Sequence, residues 1–303
     1  MKIGFALPNI GSIGTADALI KSAQRAEALG YESLWTIERL LWPVKPQVPY
    51  PVTADGSLPE GYKWSLDPLD SLTFVAAHTK KIGLGTSVLD MPYYNPVTLA
   101  RRLTTIDQIS NGRLRIGLGL GWSKDEMDAT NADMSKRGAM ADEFLQVLKA
   151  IWTTNPVEFK GKFYTVPKSY INQKPVQKPH PPIYVAAFAP PALKRLATYA
   201  DGWNPVAVPV EGMAQMFAGA KQMAQAAGRD PSALKLIVRA NYQPTDKPID
   251  GNRMIFSGSH DQIKEDIDGC RRIGTDELFF DPTFHATTLD SWLSVMEQVR
   301  RLV

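Results

Sequence analysis

The stretch IGLGTSVLDMPYYNPVTLARRLTTIDQISNGRLRIGLGLGW, residues 82–122, decides the fold. Ile82–Val88 is a short, mostly apolar run, as a strand buried on both faces should be. Asn95-Pro96 then reads as an N-cap followed by proline at the first helical position, opening a helix over Val97–Ile109. Asn111-Gly112 makes a tight turn, and Leu114–Leu118 is a second apolar run of the same character. Strand, crossing helix and strand together form one unit of a parallel α/β sheet.

The same alternation continues in both directions. Further strands are expected at Ile3–Leu7, Ser33–Ile37, Ile183–Ala187, Gly202–Pro205, Lys235–Asn241 and Glu277–Asp281. Helices are expected at Ala16–Leu29, Leu69–Thr79, Ala139–Trp152, Pro191–Ala200, Gly212–Ala227, Asp261–Ile273 and Leu289–Leu302. Gly30 ends the first as a C-cap, and Asp67-Pro68 opens the second. Eight strands and eight helices point to an α/β fold, a closed (β/α)8 TIM barrel formed by residues 1–303 as one domain. An open, doubly wound sheet would usually carry a glycine fingerprint in its first turn. Here that turn is Pro8-Asn9-Ile10-Gly11-Ser12-Ile13-Gly14, which lacks G-x-G-x-x-G spacing. Two segments exceed ordinary loops: Arg39–Leu66 after strand 2 and Thr153–Pro181 after helix 4. The first follows a strand and is expected to wall the active face, where Tyr50, Tyr62 and Trp64 would meet an apolar or aromatic substrate. The second leaves the opposite face, and its role stays open.

Composition narrows the function. Hydrophobic residues make up 44% and charged residues 21%, enough to bury a large core. The net charge of +3, from 34 basic and 31 acidic residues, is too balanced for a nucleic-acid partner. No apolar run approaches the roughly 18 residues of a membrane span, and the first residues lack a signal-peptide pattern. Cys270 is the single cysteine, so no intramolecular disulfide forms. That suits a cytoplasmic protein, and Cys270 is expected to pack inside a helix. The expected partners are a small-molecule substrate and a second copy of the chain in a homodimer, with neither nucleic acid nor membrane.

In a (β/α)8 barrel the working residues cluster at the C-terminal ends of the strands. Strand 2 ends in Glu38 and Arg39, which an extended chain would point to opposite sides; as a solvated rim pair neither would act. Strand 4 ends in Gly117-Leu118-Gly119-Leu120-Gly121-Trp122. Its glycines permit close approach of a flat ring system, or equally of a packed helix. Ala186-Ala187-Phe188-Ala189 lies between strand 5 and a helix, where N–H groups attract phosphate or simply make a turn. The four histidines are scattered without metal-ligand spacing. His78 and His180 read as structural, His260 as a helix cap, and His285 as a minor acid/base candidate at the end of strand 8.

At these residues the chain resembles the bacterial luciferase-like monooxygenase superfamily, most of all its coenzyme F420 (deazaflavin) branch. Residues 82–122 carry the resemblance most specifically, supported by YESLWTIERLLWP (31–43), RGAMADEFLQVLKAIW (137–152), FKGKFYTV (159–166) and PPIYVAAFAPPALKRLATYADGWNP (181–205). The resemblance implies a (β/α)8 barrel and a hydride-transferring, coenzyme F420-dependent oxidoreductase, with an FMN-dependent monooxygenase or a non-catalytic flavin-binding barrel as alternatives. It implies that Glu38 is the acidic partner beside the ring. Thr86, Ser87 and Val88 would form a cofactor-side bulge with a cis peptide at Ser87–Val88. Gly121 and Trp122 would lie near the ring, and Ala186, Ala187, Phe188 and Ala189 would hold the phosphate. Arg39 stands where many relatives have histidine. Arginine gives up no proton near neutral pH, so it is suited to stabilising negative charge, or it marks a weakened catalyst. Flavin-mononucleotide relatives often grip phosphate with histidine and tyrosine near Arg137-Gly138; Gly138 and the absence of a nearby histidine favour the deazaflavin branch.

Overall fold

The computed structural model describes residues 1–53 and 55–303. Its central sheet closes on itself. The strands are β1 (Lys2–Ala6), β2 (Ser33–Thr36), β3 (Gly83–Thr86), β4 (Leu114–Gly119), β5 (Ile183–Val185), β6 (Gly202–Trp203), β7 (Lys235–Asn241) and β8 (Glu277–Asp281). Each pairs in parallel with the next, and β8 returns to β1 through the register Lys2↔Glu277, Ile3↔Leu278 and Gly4↔Phe279. The helices α1 (Ala16–Ala28), α2 (Pro68–His78), α3 (Pro96–Ile109), α4 (Arg137–Thr153), α5 (Pro190–Tyr199), α6 (Val210–Ala226), α7 (His260–Arg272) and α8 (Leu289–Leu302) are the eight the sequence leads one to expect. The protein is a (β/α)8 TIM barrel.

Local chemistry accounts for the element ends. The Asn95 side chain accepts the N–H of Val97 at 2.9 Å, and Asp67 accepts those of Leu69 and Asp70 at 2.9 Å. At α7 the cap is Ser259, joined reciprocally to Gln262; His260 is the first helical residue and not the cap expected. One helix was not anticipated. Lys124–Ala129 follows β4 directly and is capped by Ser123.

The barrel interior is filled by Trp35, Tyr184, Ile237 and Phe279. Trp35 stacks on Phe279 with ring centroids 4.8 Å apart. Residue 85 must be glycine for this, since a Cβ there would lie 2.4 Å from the Trp35 ring. On the outward faces of the strands, Leu34, Leu84, Leu114, Ile116 and Leu118 pack against the helices in one continuous core. Cys270 belongs to that core, and burial pushes its thiol up to about 12. It packs and is no nucleophile at neutral pH.

The segment after α4 stays away from the strand ends that matter. Its hairpin, Val157–Lys160 against Thr165–Ser169, turns where the Glu143 carboxylate of α4 accepts the N–H groups of Lys162, Phe163 and Tyr164. Gln177 then donates to Leu114 O at 2.8 Å, at the start of β4. This segment therefore sheathes the N-terminal side of the barrel. No helix among the described residues is long and apolar enough to cross a membrane.

Candidate active site

The insertion after β2 builds the site because Asn9 ties down both its ends. Asn9 Nδ2 donates to Ile37 O at 2.7 Å and to Leu66 O at 3.1 Å, and Asn9 Oδ1 accepts the N–H of Ile37. Held at one point, the segment arches over the C-terminal ends of the strands and encloses a cavity of about 600 Å³. That size suits a small molecule or the ring system of a cofactor. The insertion contributes Tyr50, Val52 and Tyr62 to the wall. Trp64, expected there too, is half exposed on the outside instead.

Nine of the expected site residues line this cavity: Glu38, Arg39, Ser87, Val88, Gly121, Trp122, Ala186, Phe188 and Ala189. Two do not. Thr86 points into the barrel wall, where its Oγ1 donates to Gly117 O and accepts Gly117 N–H, both at 2.9 Å. Ala187 is fully buried, and its carbonyl accepts the indole N–H of Trp203 at 2.9 Å. The Ser87–Val88 peptide is cis, and after it the chain resumes pairing with β4 at Leu89 and Asp90. His285 is exposed and rests edge-on against Tyr242, away from the cavity.

Glu38 and Arg39 do not divide into an inward and an outward side chain. The chain leaves strand conformation after Thr36, so alternation no longer governs it. Both line the cavity. Glu38 Oε2 accepts the N–H of Asp90 at 2.7 Å, and Oε1 accepts the hydroxyl of Tyr94. Arg39 reaches Glu126 at 3.2 Å and lies over the rings of Trp122 (5.2 Å) and Tyr62 (5.5 Å). Burial pushes the Glu38 carboxyl up to about 8, and the negative charge of Asp90 adds to the rise. Burial likewise pushes Asp90 up to about 6, against the pull of Arg39. At neutral pH the cavity wall thus carries a protonated carboxyl beside a fixed cation.

Sequence reading missed several partners. Asp90 accepts Gly121 N–H at 2.8 Å and shapes Glu38. Glu126 comes from the short unanticipated helix, and Tyr94 from just past a single 3-10 turn, Met91–Tyr93. Arg239 of β7 also lines the cavity, pairs with Asp281 at 2.6 Å, and has a buried Nε with no partner among the described residues. A cation inside the apolar strand Lys235–Asn241 was its available signal.

The phosphate reading of residues 186–189 narrows. Pro190 and Pro191 occupy the first two positions of α5 and offer no N–H. The next donor, Ala192 N, is already taken by Ala189 O at 2.9 Å. An anion there would depend on the backbone N–H groups of the turn itself, not on the helix terminus. At the start of α4, the Gly138 carbonyl is occupied by Arg195 Nη2 at 2.6 Å.

The fold and this site define a luciferase-like oxidoreductase barrel. Residues 1–250 match the profile of the family described as luciferase-like monooxygenase, and the chain belongs to that family. It is similar to an uncharacterized protein of Mycobacterium tuberculosis, 35% identical over 227 residues, spanning 74% of this chain and 78% of that one. It is also similar to the F420-dependent glucose-6-phosphate dehydrogenase of Amycolatopsis mediterranei, 30% identical over 189 residues, 61% of this chain and 52% of that one. Among solved structures, the monooxygenase RslO1 of Streptomyces bottropensis has the same fold, with a TM-score of 0.79 at 22% identity, covering 100% of this chain and 98% of that one.

Proposed function

We propose that this protein is a coenzyme F420-dependent oxidoreductase that moves a hydride between the deazaflavin and a small organic substrate. The observation that carries the reading is Glu38: a carboxyl raised to about 8, held by the Asp90 N–H and the Tyr94 hydroxyl in the wall of the cavity. Hydride exchange at an alcohol or carbonyl carbon requires a proton to move at the attached oxygen. A group that titrates near neutral pH is suited to move it. The similarity to an F420-dependent dehydrogenase supports the choice of coenzyme.

The residues fit such a group. The buried Arg239 Nε donor lacks an acceptor among the described residues, and a deazaflavin ring edge carries carbonyl and ring-nitrogen acceptors. Gly121, Ala186 and Ala189 leave the walls without protruding side chains. When bound, the coenzyme supplies the carbon that gives or receives hydride. The chain does the rest. Arg39, fixed by Glu126, stabilises negative charge at the reacting centre. The Tyr50–Tyr62 wall excludes water. Glu38 holds or releases the proton.

A second reading, an FMN-dependent monooxygenase, draws on the family description and the likeness to RslO1. Against it stands Gly138, with no histidine near it in the sequence, at the place where the family resemblance puts the phosphate grip of flavin-mononucleotide relatives. Equilibrium titration with both coenzymes tests the proposal. The deazaflavin is expected to bind at least about tenfold tighter, a difference of about 1.4 kcal/mol. Preference for FMN would reverse the assignment.

A further inference from the structure

A second chamber of about 410 Å³ adjoins the first, between the insertion and the ends of β7 and β8. Tyr50 and Val52 stand in the walls of both. At its base is Asn241, the last residue of β7. Asn241 is almost fully buried, yet its amide oxygen has no hydrogen-bond partner among the described residues. Buried polar groups are rarely left in that state unless something else pairs with them. The neighbouring Thr283 hydroxyl is already committed to Asp281 at 2.5 Å. Asn241 is therefore the unpaired polar group at the base of the chamber.

We infer that this chamber holds the body of an uncharged, hydroxyl-bearing organic substrate, and that Asn241 recognises it. The inference rests on the reading that the coenzyme fills the first cavity. A hydroxyl both donates and accepts, so it pairs with either end of an amide. Charge argues the same way. Among the described residues the chamber wall includes no lysine or arginine, so an anionic substrate would be desolvated without a cation. Among the described residues its one charged wall residue, Glu60, is paired with Lys63 at 2.6 Å. Met254 and Phe284 supply apolar contact for the carbon skeleton. Tyr50 and Val52, in the walls of both chambers, are the side chains between a body held on Asn241 and the first cavity.

Saturation-transfer NMR on the full chain, without coenzyme, tests this with cyclohexanol against cyclohexanecarboxylate. Cyclohexanol is expected to bind, and the carboxylate at least about tenfold more weakly. Asn241→Leu, close in size, should weaken cyclohexanol about tenfold, the loss of one buried hydrogen bond. Met254→Trp fills the chamber from another wall and should abolish binding. Thermal unfolding confirms that both variants fold. Absence of cyclohexanol binding, equal binding of the carboxylate, or parental binding in both variants overturns the inference. If cyclohexanol binds with these dependences to a protein that takes no deazaflavin, the chamber stands and the coenzyme reading falls.

Discussion

Arg39 directs its guanidinium to Glu126, 3.2 Å away, and not to the carboxyl of its sequence neighbour Glu38. Glu126 is fully buried and also accepts the N–H of Leu40 at 2.8 Å and the hydroxyl of Tyr93 at 3.0 Å. One carboxylate thus fixes the cation and the first turn of the insertion together. The Asp90 N–H and the Tyr94 hydroxyl favour the ionised form of Glu38, but burial and the Asp90 charge outweigh them, so its pKa stays high while a cation stands in the same cavity.

Removing Glu126 should therefore cost stability. Glu126→Ala leaves the buried Arg39 with Asp90, 4.0 Å away, as its remaining ion-pair partner among the described residues. Breaking a buried pair costs about 3–5 kcal/mol, and the remaining partner puts the expected loss near the lower figure. Denaturant unfolding measures it. The double variant Arg39→Ala/Glu126→Ala should lose less than the sum of the single losses, because the two residues interact directly.

Stability should also fall as pH rises, in a way that Glu38 controls. The ordinary carboxyl value is 4.5, and in the folded protein it is about 8. Between these values the folded protein keeps a proton that the unfolded chain has released. The unfolded state binds fewer protons there, so stability drops with rising pH and levels off above about 8. Glu38→Gln removes this component. Unfolding curves taken across that window should show a shallower decline for Glu38→Gln than for the parent; parallel declines would mean that Glu38 is ionised throughout.

Much of the fold was legible because its signals are local. Asn95-Pro96 and Asp67-Pro68 announce helices through hydrogen bonds made within three residues. The site was legible in part, since Glu38, Ser87 and Trp122 stand at strand ends. What escaped depends on orientation. Thr86 and Ala187 turn away from the cavity at points where strand and loop meet, and no period assigns a side there. Arg39 lies beyond the last strand residue, so alternation misassigned it. Glu126 acts on residue 39 across 87 positions of chain, and Lys124–Ala129 is too short a helix to show a periodic apolar face.

Arg239→Lys separates the charge at the base of the cavity from its geometry. Lysine can keep the pairing with Asp281 but lacks the Nε–H in the plane of a guanidinium. Stability should change by less than about 1 kcal/mol, while deazaflavin affinity falls about tenfold through the lost donor. Fluorescence titration reads the affinity. An unchanged affinity would show that the Arg239 Nε does not meet the coenzyme.

Glu38→Gln provides the sharpest chemical test. The substitution keeps the size of the side chain, with its amide oxygen able to accept the Asp90 N–H and its amide N–H able to donate to the Tyr94 oxygen, but leaves no proton to exchange. Coenzyme affinity should therefore hold to within about threefold, since a neutral amide replaces a group already protonated near neutral pH. Turnover should fall about a hundredfold or more, the usual scale for losing a general acid or base. The pH profile reports the direction of the reaction. In oxidation of an alcohol, Glu38 must start deprotonated, so the parent rate rises through about pH 8 and then levels. In reduction of a carbonyl it must start protonated, so the rate declines through the same pH. Either limb should vanish in Glu38→Gln. A variant that keeps both parental turnover and the limb would make Glu38 a wall residue, and the proton would have to come from elsewhere in the cavity.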